Sequence, residues 1–280
     1  GKWRRRSKKH RANIEDSYET LPLFASASAS GRIHLHSLEK QHNSQPWSLS
    51  HVASSSSCDS LSETSSLCLS LAWNDFMDDD ASDQIVSSYS DGSVALHDVS
   101  CAPSANEYST PYNISIKETM RWNAHTMFGC PSEVWTCSFL RGNAHVVMSG
   151  ADDCSLKIWD IRQTQRPTHK IGNSEFEAGV TAISAHPSLS HIFAAGSYDE
   201  YVRIYDHRKV DEPMTKFRVG GGVWRIKWHP SAQNYGKMLV AAMHGGCCVV
   251  NIASLHTHTN IDVDDVEILS KFTAHESMAY

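Results

Sequence analysis

The sequence lacks the features that mark several classes of protein. No run approaches the roughly 18 consecutive apolar residues of a membrane-spanning helix, and helical periodicity is nearly absent from the 280 residues. The eight cysteines form no C-x-x-C pair and no zinc-type spacing. The G-x-S-x-G and H-E-x-x-H motifs are also missing. We therefore expect free thiols, no bound metal, no membrane contact and no ready-made hydrolase motif.

The first eleven residues, GKWRRRSKKHR, differ from the rest of the chain in charge. They carry seven Lys or Arg, whereas the whole chain has a net charge of −6. Basic runs of this kind serve as nuclear-import or nucleic-acid patches, but this one is short and isolated. We interpret residues 1–20 as a basic tail in solvent and expect no nucleic-acid binding. RNA binding through this tail stays open as an alternative.

A hairpin pattern recurs along the chain. The best copies align without a gap at 85–99, 146–162 and 192–208, and weaker copies occur at 23–38 and 238–252. Each of the best copies has a small-residue strand end, an acidic turn, an alternating strand and a closing Asp. Internal repeats of this kind indicate an architecture of stacked or radial units.

Alternation with period 2 predicts three strands in each of the better units. Asp160 and Asp206 lie 46 residues apart, a spacing that favours propeller blades over helical solenoids. If the alignment is right, Trp159, Ile204 and Ile226 should be largely buried. We expect strands near 68–73, 84–88, 94–98, 134–139, 145–149, 155–159, 180–184, 192–196, 201–205, 223–228, 238–242 and 247–251.

The stretches LKIWD, VRIYD and VALHD resemble the WD-repeat family of β-propellers over residues 21–280. The resemblance implies an all-β propeller with seven blades when complete and about five here, so we expect missing sequence at both ends. The Ser-rich stretch 41–66 and the stretch 100–121 are interpreted as surface insertions. The family's buried hydrogen-bond network matches His125, Ser149, Asp153 and Trp159 in this chain.

Three further stretches resemble one particular group of WD-repeat proteins. AAGSYDEYVRIYDHR (194–208), GGVWRIKWHP (221–230) and AAMHGG (241–246) resemble the WD-repeat diphthine methyl ester hydrolases of diphthamide biosynthesis. The resemblance implies a cytoplasmic carboxylic ester hydrolase without a cofactor. Its substrate would be methylated diphthine, a modified histidine of translation elongation factor 2. The alternative is a non-catalytic WD-repeat adaptor that binds a partner protein.

The family fold also implies where a site would lie. In WD propellers the start of the first strand and the turn after the second strand share one face, around the central channel. On that face the alignment places Trp135, Asp153, Glu200, Trp224, Arg225 and His244.

His244 replaces the turn Asp of the better repeats, and we interpret it as a general base, since neutral imidazole accepts a proton near pH 7. Glu200 would orient this imidazole or help to activate water. The other four residues would bind the substrate, with Trp224 beside its trimethylammonium group and Arg225 beside the product carboxylate. The alternative is that His244 only caps the hairpin of a degenerate blade.

Overall fold

The computed structural model describes residues 2–7, 20–39, 47–55, 66–74, 83–103, 112–255 and 265–279. Within these residues the strands form five four-stranded antiparallel sheets and one short hairpin. A 3-10 helix at Ala232–Asn234 lies in the loop between two strands of the fifth sheet. No helix in the described part of the chain is long and apolar enough to cross a membrane.

We number the sheets as blades 1 to 5 in chain order, and in each blade the strands are adjacent in sequence order. Blade 1 contains β1 (Lys2–Ser7), β2 (Thr20–Ala27), β3 (Ile33–Glu39) and β4 (Ser48–Ser54). Blade 2 contains β5 (Cys68–Trp73), β6 (Asp83–Tyr89), β7 (Ser93–Pro103) and β8 (Tyr112–Asn123). The short hairpin of β9 (Thr126–Met127) and β10 (Cys130–Pro131) follows.

Blade 3 contains β11 (Thr136–Phe139), β12 (Val146–Ala151), β13 (Ser155–Asp160) and β14 (His169–Ile171). Blade 4 contains β15 (Val180–Ala185), β16 (Ile192–Ser197), β17 (Tyr201–Asp206) and β18 (Thr215–Arg218). Blade 5 contains β19 (Arg225–Trp228), β20 (Lys237–Ala241), β21 (Cys247–Ile252) and β22 (Val266–Phe272).

Alternating apolar residues hold the blades together face to face. Clusters of buried apolar side chains lie between each successive pair of blades. Trp159, Ile204 and Ile226 are 2%, 0% and 4% exposed, which confirms the predicted alignment of the repeats. Because a strand alternates its side chains between two faces, each blade can contribute to the core on either side of it.

The first strands of blades 2 to 5 surround a central cavity of about 320 Å³. Arg225 and Lys227 of β19 supply its cationic lining, together with apolar and small residues of β5, β11 and β15. In blades 2 to 5 the first strand begins beside the end of the second strand, so the turn between the second and third strands lies at one end of this cavity. We call that end the channel mouth.

The structure of the basic N-terminal segment differs from the tail in solvent that we predicted. Residues Lys2–Ser7 form β1, which pairs with β2 from Lys2↔Ala25 to Ser7↔Thr20. These residues are therefore part of a sheet, in which the partner strand β2 supplies hydrogen-bond partners for their backbone groups. The part of the predicted tail between residues 8 and 19 lies outside the described residues.

The two predicted insertions also contain blade strands. The Ser-rich stretch includes β4, which pairs with β3. The stretch 100–121 extends β7 and forms most of β8, with pairing as far as Pro103↔Tyr112. Ile114 and Ile116 of β8 are buried, whereas the residues between and beside them are exposed. This short alternation was the sequence signal for the strand, and the prediction missed it. Residues 41–46, 56–65 and 104–111 lie outside the described residues.

Candidate active site

The polar network that the family resemblance implied is present between blades 2 and 3. The Nε2 atom of His125 lies 2.7 Å from the hydroxyl of Ser149, which also accepts a 2.9 Å hydrogen bond from the indole of Trp159. The Nδ1 atom of His125 lies 2.9 Å from the Oδ1 atom of Asp153. Burial lowers the pKa of His125, although Asp153 opposes this shift.

Asp153, predicted to bind substrate, is engaged in this network. Its carboxylate contacts His125, accepts a 2.6 Å hydrogen bond from Ser155 and lies 3.2 Å from the Nζ atom of Lys157. Burial would raise its pKa, but the hydrogen bond and charge of His125, with Ser155 and Lys157, hold it at about 2. The carboxylate of Asp153 therefore contacts side chains of the buried network, although Asp153 lies in the β12–β13 turn at the channel mouth.

His244 lies where the sequence alignment placed it. The register pairs Trp159 with Val147 in blade 3 and Val250 with Met238 in blade 5, so His244 occupies the position of Asp153. The side chain of His244 is exposed at the tip of the β20–β21 turn. An exposed imidazole at this point is accessible to water and to a ligand.

The glycines beside His244 have a packing role. The backbone of the β20–β21 turn lies directly against the segment that leads into β19. A Cβ atom on Gly245 would lie 2.7 Å from the carbonyl oxygen of Gly220, which is closer than real Cβ contacts allow. Close approach of these two backbones therefore requires glycine and fixes the turn that carries His244.

Glu200 has a different partner from the one predicted. Its carboxylate accepts a 2.8 Å hydrogen bond from the guanidinium of Arg218, and its φ of 71° matches the turn position held by Cys154 in blade 3. Within the described residues no hydrogen bond or ion pair joins Glu200 to His244. The geometry gives no support to Glu200 as the group that orients this imidazole.

Three aromatic rings from three blades meet at the channel mouth. Trp135 precedes β11, Tyr198 lies in the β16–β17 turn and Trp224 precedes β19. The ring centroids of Trp135 and Trp224 are 5.6 Å apart, and those of Tyr198 and Trp224 are 6.1 Å apart. All three side chains are half-buried, so they leave ring surface open to a ligand.

Asp152 joins this group and was missed from the sequence. Its Oδ1 atom accepts a 2.6 Å hydrogen bond from the indole Nε1 of Trp135. A Cβ atom on Gly179 would lie 2.6 Å from the same oxygen, so the glycine leaves room for this carboxylate. Among the described residues no Lys or Arg forms a salt bridge with Asp152. The acidic pair Asp152–Asp153 was the available signal, but only its second member matched the family pattern.

Arg225 carries a positive charge, opposite to that of Asp152. Its guanidinium carbon lies 5.0 Å from the ring centroid of Trp224, and its Nη1 atom donates a 2.7 Å hydrogen bond to the Trp224 carbonyl. Partial burial lowers its pKa and Tyr198 opposes the shift, but a guanidinium stays charged at neutral pH. In the described part of the chain no carboxylate pairs with Arg225, so its charge is available to an anionic ligand.

We call Trp135, Asp152, Tyr198, Trp224 and Arg225 the channel-mouth cluster. The contacts run in sequence from a carboxylate through two indole rings to a guanidinium. Aromatic faces beside a carboxylate suit a quaternary ammonium group, and a guanidinium suits a carboxylate. The described residues contain no group of three or more His, Cys, Asp or Glu side chains arranged to hold a metal ion.

A thiol–imidazole contact lies in blade 5, the sheet that also carries Arg225. The Sγ atom of Cys247 is 3.8 Å from the Nε2 atom of His275. In the ladder of blade 5, Arg225 pairs with Ala241, which in turn pairs with Cys247. A cysteine beside a histidine is a second candidate nucleophile, and sequence reasoning did not connect the two.

Comparison with known proteins agrees with this architecture. The family described as "WD domain, G-beta repeat" matches residues 120–160 and 166–206. A solved structure of Chaetomium thermophilum Sqt1, bound to the N-terminus of the ribosomal protein L10, is similar with a TM-score of 0.55 and 14% identity. The match covers 82% of this chain and 55% of that chain.

Two curated relatives are more similar in sequence. The Diphthine methyltransferase homolog of Dictyostelium discoideum is 35% identical over 225 residues, which are 76% of this chain and 54% of the relative. Diphthine methyltransferase of Homo sapiens is 32% identical over 264 residues, 92% of this chain and 51% of the relative. This chain thus spans about half the length of both relatives. It is an all-β protein with the WD-repeat β-propeller fold.

Proposed function

We propose that the protein acts in diphthamide biosynthesis as a carboxylic ester hydrolase. In this proposal it removes the methyl ester from methylated diphthine on translation elongation factor 2. The observation that carries the proposal is the channel-mouth cluster, in which the opposite charges of Asp152 and Arg225 flank two indole rings. The names of the curated relatives support a role in diphthine chemistry.

The modified histidine carries a trimethylammonium group and an ester on one short side chain. The trimethylammonium group would lie against Trp135 and Tyr198, with Asp152 as its counter-charge. The ester carbonyl would then lie towards Arg225, whose guanidinium has no carboxylate partner among the described residues. Two protein charges of opposite sign would thus orient the substrate, with its trimethylammonium group towards Asp152 and its ester towards Arg225.

Ester hydrolysis also needs a base and an acid. His244 would accept a proton from water while the water oxygen forms a bond to the ester carbon. Arg225 would stabilise the negative charge that develops on the carbonyl oxygen. The bond to the methoxy oxygen then breaks and His244 returns the proton, which gives methanol and the carboxylate of diphthine.

A reaction without any methyl donor tests the proposal. The protein is incubated with elongation factor 2 that carries methylated diphthine, and methanol and the mass of the modified peptide are followed. Hydrolysis predicts one methanol released for each ester lost. An adaptor would bind the factor without changing its mass. A methyltransferase, as the relatives are named, would change the mass only when a methyl donor is added.

A further inference from the structure

The β9–β10 hairpin places an aromatic side chain in solvent. Met127 pairs with Cys130 and Thr126 with Pro131, so Phe128 and Gly129 form a two-residue tip. Their φ angles are 54° and 81°, which is the geometry of a type I′ turn. Such a turn prefers Asn or Gly at its first position, and an aromatic residue there is strained. The conformation of the turn therefore does not explain why residue 128 is a phenylalanine.

Burial does not explain Phe128 either. Its side chain is 98% exposed, and that of Met127 is 42% exposed. Cys130 and Pro131 on the facing strand are also exposed, so the tip is a contiguous apolar patch. Single exposed apolar residues are ordinary, but a contiguous projecting patch marks an interaction site.

The base of the hairpin is held firmly. The Ser132 amide donates a 3.2 Å hydrogen bond to the His125 carbonyl, and His125 is itself anchored in the buried network. A Cβ atom on Gly92, in the β6–β7 turn, would lie 3.1 Å from the Ser132 nitrogen. The hairpin thus projects as a rigid arm from the end of the propeller that holds the channel mouth.

The chain runs from this arm directly into the proposed site. After Pro131 it passes Glu133, whose carbonyl accepts a 3.1 Å hydrogen bond from the Asp152 amide, and then reaches Trp135. A protein whose side chain enters the channel mouth would therefore also face the arm. Residues 126–133 contain one acidic and no basic residue, which suits a protein surface better than an anionic membrane.

We propose that the arm docks the protein substrate, with Phe128 inserted into an apolar depression near the modified side chain. This inference rests on the proposed function for the identity of the partner. An exposed aromatic residue on a rigid arm loses little entropy on binding and can contribute much of the affinity.

The variant Phe128→Asn tests the proposal, because asparagine favours the positive φ and should leave folding intact. For the whole substrate protein we expect KM to rise about tenfold with kcat unchanged, the loss typical of an interface anchor. For a short peptide with the same modified histidine we expect no change. The control Leu269→Asn removes an exposed apolar residue on β22 and should leave both KM values unchanged.

An unchanged KM for the whole substrate in Phe128→Asn would overturn the proposal, as would an equal loss with the peptide. If the wild-type protein shows no hydrolysis, titration of the substrate protein still decides the docking question separately from the reaction. Binding about tenfold weaker in Phe128→Asn would then support docking, and equal binding would overturn it. Self-association or vesicle binding that depends on Phe128 would instead assign the arm to a second copy or a membrane.

Discussion

The indole nitrogen of Trp135 donates a 2.6 Å hydrogen bond to the carboxylate of Asp152 at the channel mouth. The bond joins the start of the first strand of blade 3 to the turn between its second and third strands. It fixes the orientation of the ring and places a negative charge beside it. A fixed aromatic face with an adjacent carboxylate is a binding surface for a cation.

The substitution Asp152→Asn separates the charge from the hydrogen bond. Asparagine can still accept from the Trp135 indole, so the ring should stay in place while the negative charge is lost. We expect affinity for tetramethylammonium, measured by titration of the tryptophan fluorescence, to fall about fivefold to tenfold. The uncharged isostere neopentane should bind equally to both proteins. Unchanged affinity for tetramethylammonium would mean that the site recognises shape alone, and equal loss for the two probes would mean that the substitution disturbs the site itself.

Replacement of His244 tests its proposed role as the general base. We expect turnover to fall by about 100-fold or more in His244→Ala and in His244→Asn, with folding retained because the side chain is exposed. Circular dichroism would confirm the fold of each variant. The control Cys247→Ser should keep wild-type turnover. If Cys247→Ser is inactive and His244→Asn is active, the Cys247–His275 pair performs the chemistry instead.

Much of the fold could be predicted because inner strands alternate strongly between apolar and polar residues. All twelve predicted strands exist, with ends shifted by a few residues. The outer strand of each blade was missed, since it has one free edge and carries fewer buried residues. In β22, for example, Ile268, Leu269 and Phe272 are all exposed, so the burial of alternate side chains that reveals an inner strand is absent.

The site could be predicted only in part. Repeat alignment located the channel-mouth face and three members of its cluster, Trp135, Trp224 and Arg225. Alignment assigns side chains to a face but does not give their partners on other strands and blades. The bond of Glu200 to Arg218 and the contact of Tyr198 with Trp224 depend on side-chain direction and blade spacing, which no single repeat records.

Acid should weaken the fold in two stages through the network between blades 2 and 3. His125 has a lowered pKa in the fold, so below about pH 6.5 the unfolded chain takes up a proton that the native state excludes. The lowered pKa of Asp153, about 2, adds stability that is complete above about pH 4 and is lost as the pH falls towards 2.

Urea unfolding of the wild type and Asp153→Asn at pH 7, 5 and 3 measures the second stage. The other acidic groups titrate in both proteins, so the difference between the two reports on the Asp153 charge, including its interaction with His125. We expect Asp153→Asn to be less stable at pH 7, with the gap narrowing by pH 3. A gap that stays constant with pH would show that the Asp153 charge does not stabilise the fold.

Gly245→Ala should destabilise the protein, because the new Cβ atom would lie 2.7 Å from the Gly220 carbonyl oxygen and 2.9 Å from that of Ala242. These are backbone atoms that cannot rotate away, so we expect a loss of about 1–3 kcal/mol in the free energy of unfolding. Gly172→Ala is the matched control, since its nearest neighbour would be the flexible end of Lys170 at 3.9 Å. Equal melting temperatures for the two variants would contradict the packing described for the β20–β21 turn.

The most direct test of the proposed hydrolysis is the reaction in water enriched in heavy oxygen. Attack of water on the ester carbon predicts one heavy oxygen in the new carboxylate of the modified histidine, together with methanol of ordinary mass. Mass spectrometry of the modified peptide reads this out, with the wild-type protein and His244→Asn compared side by side. Loss of the methyl group without heavy oxygen in the carboxylate, or no loss of the methyl group at all, would contradict the account.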